Sequence, residues 1–387
     1  MNPVRDTSIT MVSDGMKVLQ LTTDMNIGGI TNYIFELSKA LKDKGVDTVV
    51  ASAGGDIEVS LEKVGIPHEK LNIKTKFEFS PKVFLAAFAV KRILKKEGID
   101  IIHAHSRVSQ VAGALASRMT GIPMVTTCHG YFKKRLRAVV DTWGDKVIAI
   151  SEAVYEHLKN DLGVEDKRIE LVYSGIDIYK FSKEFSDADI AKTKKYLGQS
   201  GKTVVGTIGR LSPVKGQKFF IQAMAEVLKK RPDAGGLVVG SGPEAPSIKS
   251  LAMALGIDDR ISFVDSVLDT REALSAMDIF VFPSVKEGLG IALLEALASA
   301  RPCIASRTGG IEDIITDREN GILVDVGDSG AIAAAILELL SDENLRIRMG
   351  ENGRRLVQSR FTLDRMADDI VRVYKSVRPG AEPSRRV

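Results

Sequence analysis

Short β-branched runs bounded by Gly, Ser or Asp recur along this chain, spaced so that one helix fits between successive runs, and the whole series occurs twice. The first set is "MKVLQLTTD" (16–24), "TVVASAG" (48–54), "IDIIHAHS" (99–106), "PMVTTCHG" (123–130), "KVIAIS" (146–151) and "IELVYSG" (169–175). Segments of helical period lie between them, such as Thr31 to Lys44 and Val108 to Thr120. Continuous apolar strands alternating with helices imply parallel strands covered on both faces. After a polar interval at 177–202 the pattern restarts with "TVVGTIGR" (203–210), "GGLVVGSG" (235–242), "ISFVDS" (261–266), "IFVFPS" (279–284), "PCIAS" (302–306) and "GILVDV" (321–326). The expected fold class is therefore α/β, with two doubly wound, Rossmann-like domains facing a cleft. Ligands of such sheets bind beyond the carboxyl ends of the strands, so the cleft is the expected site.

At 387 residues the chain is longer than one hydrophobic core supports, in keeping with two domains. The expected division is a disordered extension at 1–15, a first domain at 16–178, a linker at 179–200 and a second domain at 201–360. A helix at 361–377 is expected to pack back on the first domain, ahead of a flexible tail at 378–387. Apolar residues make up 44% and charged residues 27%, the balance of a soluble globular enzyme. A net charge of +4 argues against a dedicated nucleic-acid binder. The two cysteines, Cys128 and Cys303, lie far apart in strand-like runs and read as small buried hydrophobes in a reducing compartment. Residues 1–15 show no apolar leader, and the longest apolar run, "VFLAAFAV", is eight residues where a membrane span needs about 20. A cytoplasmic protein is expected, touching a membrane at most from its surface.

The chemistry-bearing residues cluster at strand ends. "TIGRLSPVKG" places Arg210 after a strand and Lys215 before a helix beginning near Gln217. Such a pair can clamp a diphosphate, the Arg as a planar fork and the Lys as a point charge; a solvated loop would carry the same pair. "GSGPE" gives a glycine turn at Gly240 and Gly242 without the third glycine of a dinucleotide fingerprint, and no P-loop run exists. "FPSVKEGLGIALLEA" ends a strand at Pro283 and opens a helix near Leu289, so the N–H groups of Gly288, Leu289 and Gly290 suit an anion or sugar hydroxyls. Glu287 points from that turn toward the cleft. Glu295, two helical turns on between leucines, could accept two hydrogen bonds from a vicinal diol or sit on an amphipathic surface.

In the first half, Gly28 and Gly29 of "MNIGGITNY" let backbone approach a ligand at a helix start, or simply make a tight turn. His129 closes the strand "TTCHG", where it could hydrogen-bond or move a proton. His103 and His105 share a strand face but lack a third partner, so no metal site is expected. "DAD" at 187–189 reads as a helix start rather than a metal-binding motif.

Together these stretches resemble the retaining, nucleotide-sugar-dependent glycosyltransferases of the GT-B fold, family 4. The resemblance runs from Met16 to about Val377 and is carried by "GGI" (28–30), "HAHS" (103–106), "CHG" (128–130), "VIAIS" (147–151), "SGIDIYKF" (174–181), "GRLSPVKG" (209–216), "GSGP" (240–243), "FPSVKEGLGIALLEA" (282–296) and "GGIEDII" (309–315). It implies an acceptor-side first domain and a second domain that binds the nucleotide-sugar donor, with UDP-sugars favoured. Arg210 and Lys215 then match the diphosphate clamp, and Gly29 matches a backbone donor to the phosphates, beside Gly28. Glu295 matches the ribose-binding glutamate and Glu287 the one near the sugar, flanked by Gly288, Leu289 and Gly290. His129 matches a histidine near the C6 hydroxyl of the transferred sugar, and Gly242 lies among the donor contacts. The resemblance implies a hexosyltransferase-type enzyme working without a metal or other cofactor. Ser174 stands where the family usually has Asn, so no role is carried to that position.

The acceptor is expected to be a glycan or a lipid-linked molecule, with a place in cell-surface polysaccharide or lipopolysaccharide synthesis. Residues 74–96 and 131–137 are both basic and apolar, as segments lying on anionic lipid are. A core helix with a solvated end is the other reading for 81–96. A nucleotide-sugar epimerase of the same architecture, or a non-catalytic sugar-nucleotide-binding protein, would keep the same phosphate clamp. The missing dinucleotide fingerprint disfavours a dehydrogenase.

Overall fold

The computed structural model describes residues 15–132, 141–183, 185–267 and 269–378. The expected N-terminal extension lies almost wholly outside them, as do most of the tail and residues 133–137 of the second basic segment. The first sheet has seven parallel strands: β1 (Lys17–Leu21), β2 (Asp47–Ser52), β3 (His68–Lys70), β4 (Ile101–Ala104), β5 (Met124–Cys128), β6 (Lys146–Ala149) and β7 (Ile169–Leu171). Their spatial order is β3-β2-β1-β4-β5-β6-β7. The second sheet holds β8 (Thr203–Ile208), β9 (Ala234–Val239), β10 (Ile261–Val264), β11 (Ile279–Phe282), β12 (Cys303–Ser306) and β13 (Ile322–Val324), in the order β10-β9-β8-β11-β12-β13. The chain is thus a two-domain, doubly wound α/β protein. Strand order reverses between β1 and β4 in the first sheet and between β8 and β11 in the second, which are the points where such sheets leave a crevice.

The strands are buried along nearly their whole length, because helices cover both faces. Cys128 and Cys303 are both buried, and neither forms a disulfide. The linker is helical, with short helices at Ile178–Ser182 and Asp187–Tyr196. Ser186 caps the second of these by accepting from the Asp189 amide at 3.2 Å, which places "DAD" in a first helical turn.

The chain leaves the first domain and returns to it at one place. Ile176 N–H donates to Phe361 O at 3.0 Å and Leu363 N–H donates to Ile176 O at 2.9 Å. A Cβ on Gly175 would lie 2.1 Å from the Thr362 carbonyl oxygen, so the glycine of "SGID" serves this crossing. The helix Leu363–Val377 then packs into the first domain, where Met366, Ile370 and Tyr374 join a core with Val18, Ile34 and Leu37.

The helix Pro81–Glu97 has two characters. Val83, Ala86, Ala87, Val90, Ile93 and Leu94 are buried beside the helix Arg107–Thr120, as a core helix requires. Phe84, Leu85 and Phe88 are exposed on its other side, with Phe77 and Phe79 exposed just before it. No helix among the described residues is long and apolar enough to cross a membrane.

Candidate active site

Helix starts distinguish the cleft from the rest of the molecule. Eight of the other described α-helices are capped by the side chains of Ser80, Ser106, Ser151, Asp177, Ser186, Asp328, Asp342 and Thr362, which occupy one or more of the free first-turn N–H groups, while Glu58–Lys63, Ala245–Ala254 and Arg271–Ala276 have no capping side chain and no glycine at the N-cap. Among the described α-helices, glycine stands at the N-cap only in Gly29–Asp43, Gln217–Lys230 and Ile291–Ala298, with Gly28, Gly216 and Gly290. These helices follow β1, β8 and β11, three of the four strands at the crevice points. None has a capping side chain or an acidic residue in its first turn, so their amides and positive dipole ends stay available to an anion. The last of these helices begins at Ile291, two residues later than the sequence pattern indicates, because Gly290 sits at φ 105° in the left-handed region.

Lys215 and Glu287 meet directly. Lys215 Nζ donates to Glu287 Oε2 at 2.5 Å, and Ser284 Oγ donates to the same oxygen at 3.2 Å. Lys215 Nζ also lies 5.4 Å from the centre of the Phe282 ring. The turn that carries Lys215 is fixed by Gly216, at φ 66°, where a Cβ would lie 2.0 Å from the Pro283 carbonyl oxygen. Arg210 is exposed, and its carbonyl accepts from Gln217 Nε2 at 3.1 Å. Gly242 packs on backbone, since a Cβ there would lie 2.2 Å from the Leu211 carbonyl oxygen.

Glu295 is half-buried on its helix and accepts from Thr270 Oγ1 at 2.9 Å. Burial pushes its carboxyl up to about 7, against the hydrogen bond from Thr270. Nothing in the local sequence signals Thr270, which stands at the start of the helix Arg271–Ala276 and meets Glu295 on the helix Ile291–Ala298.

The first domain reaches this turn through β5. A Cβ on Gly288 would lie 2.7 Å from the His129 carbonyl oxygen, so the two domains touch where His129 ends its strand. Tyr131 extends the contact, with Lys286 Nζ 4.1 Å from the centre of its ring. Asp313 of "GGIEDII" crosses the cleft and accepts from the Glu152 amide at 2.8 Å. His129 is half-buried beside Tyr33, ring centres 4.7 Å apart, and burial lowers its imidazole to about 3, so it is neutral. Gly28 and Gly29 are exposed after β1, and no atom stands within 4 Å of a Cβ built on Gly29. His103 and His105 are fully buried beneath the cleft rather than open to it. Among the described residues no group of three His, Cys, Asp or Glu side chains is placed to hold a metal ion.

The pattern of the glycosyl transferases group 1 family matches residues 189–356, and that of glycosyltransferase family 4 matches residues 27–180. The chain belongs to the family 4 glycosyltransferases. It is 28% identical over 373 residues to N-acetyl-alpha-D-glucosaminyl L-malate synthase of Bacillus anthracis, covering 92% of this chain and 96% of that protein. It is also 28% identical to UDP-Gal:alpha-D-GlcNAc-diphosphoundecaprenol alpha-1,3-galactosyltransferase of Escherichia coli, over 73% of this chain and 77% of that protein. The solved structure of Anabaena Alr3699/HepE, in complex with UDP and glucose, superposes with a TM-score of 0.83 at 26% identity, covering 93% of this chain and all of that one. The two facing sheets are the GT-B fold, and the chain is a glycosyltransferase.

Proposed function

We propose that this glycosyltransferase moves a hexose, with retention, from a UDP-sugar to a hydroxyl of a glycan or lipid-linked acceptor at the inner face of a membrane, in cell-surface polysaccharide or lipopolysaccharide synthesis. The observation that carries the reading is the placing of three glycine-capped helix starts after strands at the two crevice points, with Lys215 paired to Glu287 between the second and third of them and Arg210 following β8. The names of similar proteins support the donor: one is a UDP-galactose-dependent transferase, and another was solved with UDP and glucose bound.

The donor diphosphate competes with Glu287 for Lys215. Its arrival takes the ammonium from Glu287 and leaves that carboxylate facing the sugar. Arg210, Lys215 and the open helix amides then neutralise the departing diphosphate, which is the work a divalent ion would otherwise do. Transfer therefore proceeds without added metal. The bond from the sugar C1 to the phosphate oxygen breaks and a bond from C1 to the acceptor oxygen forms on the same face. The acceptor proton passes to the departing phosphate. Glu295 holds the ribose hydroxyls, His129 contacts the sugar, and Gly29 donates to the phosphates.

Support for a membrane-facing first domain comes from Phe77, Phe84, Leu85 and Phe88, whose side of the molecule also carries exposed Lys74, Lys76, Lys82, Lys91 and Arg92. Apolar rings ringed by cations fit an anionic bilayer surface.

The test is a saturation-transfer NMR panel of UDP-, GDP- and ADP-sugars, followed by measurement of released nucleoside diphosphate and of the product anomer, with and without EDTA. Selective UDP-sugar binding, acceptor-dependent UDP release that EDTA leaves intact, and an unchanged anomer are expected. Lys215→Ala and Arg210→Ala should each lower turnover by orders of magnitude in a folded protein. Near-normal transfer by both variants would remove the clamp assignment, and UDP release without any transferable acceptor would point to an epimerase instead.

A further inference from the structure

A chain of buried polar groups runs from His129 to the helix that crosses back from the second domain. Gln20 on β1, His103 on β4, His105 just beyond it, Thr127 on β5 and Tyr374 on Leu363–Val377 are all fully buried. Gln20 Oε1 faces His105 Nε2 at 2.6 Å, and Gln20 Nε2 donates to the Tyr374 hydroxyl at 3.1 Å. His105 Nδ1 faces His129 Nε2 at 3.2 Å. On the other branch the Tyr374 hydroxyl faces His103 Nδ1 at 2.6 Å, and His103 Nε2 faces Thr127 Oγ1 at 2.7 Å.

The direction of the bonds from Gln20 to His129 follows from the Gln20 amide. Burial lowers all three imidazoles far below their usual value, so each is neutral and carries one N–H. An amide oxygen only accepts, so His105 holds its proton on Nε2 and its Nδ1 is an acceptor. The donor to that Nδ1 is therefore His129 Nε2–H, which leaves a lone pair on His129 Nδ1. Tyr374 accepts from Gln20 and donates to His103 Nδ1, and His103 Nε2–H donates to Thr127. On the branch that reaches the cleft, the His105–His129 bond cannot be reversed unless the Gln20 amide turns with it.

We propose that Gln20 and Tyr374 are positioning residues that hold the proton of His129 on Nε2, so that the cleft meets an imidazole able only to accept. The group selected at Nδ1 is then a hydroxyl of the bound sugar, and a carboxylate in its place is refused. Naming the ligand group rests on the glycosyltransferase reading; the tautomer does not. Tyr374 arrives on the helix that returns from the second domain, so seating of that helix and the proton position of His129 are linked.

The experiment is 15N-resolved histidine NMR on the full chain, with titrations of UDP-glucose and UDP-glucuronate. The wild-type protein should show His129, His105 and His103 each protonated on Nε2, and should bind UDP-glucose more tightly than its C6 carboxylate counterpart. Tyr374→Phe keeps the ring in its core but frees the Gln20 amide. It should convert the His129 signals to a mixture of both tautomers and cut the preference for UDP-glucose on the order of tenfold, the loss typical when a group orienting a functional histidine is removed. Should that variant not fold, Gln20→Met breaks the same chain and is read the same way. His129 protonated on Nδ1 in the wild type, or a tautomer and a preference both unmoved by the variants, would overturn the proposal. Absence of nucleotide-sugar binding with the tautomers as stated would instead count against the functional reading.

Discussion

Glu295→Gln isolates the electrostatics of the donor site. Folding moves this carboxyl from an ordinary 4.5 to about 7, because its surroundings penalise the charged form. The sign follows from proton binding: between those values the folded protein keeps the proton and the unfolded chain has lost it, so stability falls as pH rises and levels off above about 7. The total is up to ~3 kcal/mol at about 1.4 kcal/mol per pH unit, a ceiling for a side chain that water still reaches. Gln cannot ionise and can still accept from Thr270, so the variant should lack this fall. In the unliganded enzyme the melting temperature of Glu295→Gln relative to wild type should rise between pH 5 and pH 8, by up to roughly 6–12 °C for a domain of this size. UDP binding should move the opposite way. In the proposed role Glu295 accepts both ribose hydroxyls as the ionised carboxylate, so wild-type affinity should strengthen as pH rises toward 7, with proton release visible by calorimetry in buffers of different ionisation heat. Glu295→Gln should bind more weakly and lose that pH dependence. A melting gap that stays constant across this range would refute the assignment of the raised carboxyl to Glu295.

Other perturbations separate the remaining parts of the site. Glu287→Ala leaves Lys215 without its partner, and should slow transfer by tenfold or more while UDP binding is kept or strengthened; a loss confined to UDP affinity would reverse the roles given to the two glutamates. Gly288→Ala places a methyl 2.7 Å from the His129 carbonyl oxygen, and the domains can relieve the clash by parting. Its kcat/KM should fall at least tenfold with thermal stability nearly unchanged, and normal kinetics would show that this contact does not set the cleft. Leu85→Asp with Phe88→Asp changes side chains that are 70% and 59% exposed, so folding should survive while sedimentation with phosphatidylglycerol vesicles weakens several-fold; unchanged sedimentation would remove the lipid-facing role.

The sequence by itself determined the alternation of buried strands and helices, the two-domain division, and the strand-end positions of Arg210, Lys215, Glu287 and His129. These are local properties: periodicity reports which faces are covered, and glycine turns mark where strands stop and helices begin. It also brought the alternatives for 81–96 into view without deciding between them. Only the folded helix shows Val83 and Val90 buried while Phe84 and Phe88 face outward.

Contacts between distant residues needed the tertiary structure. Lys215 and Glu287 are 72 positions apart and pair because β8 and β11 are neighbours in the sheet. Thr270 reaches Glu295 across 25 positions, and Gln20 reaches Tyr374 across 354. His103 and His105 shared a strand face in sequence, but that period could not say whether the face opened on the cleft or lay under a helix returning from the other domain. Strand order, the crossing at Ile176 and Phe361, and the seating of the final helix decided it, because a side chain's partner is set by which elements pack together and not by its neighbours along the chain.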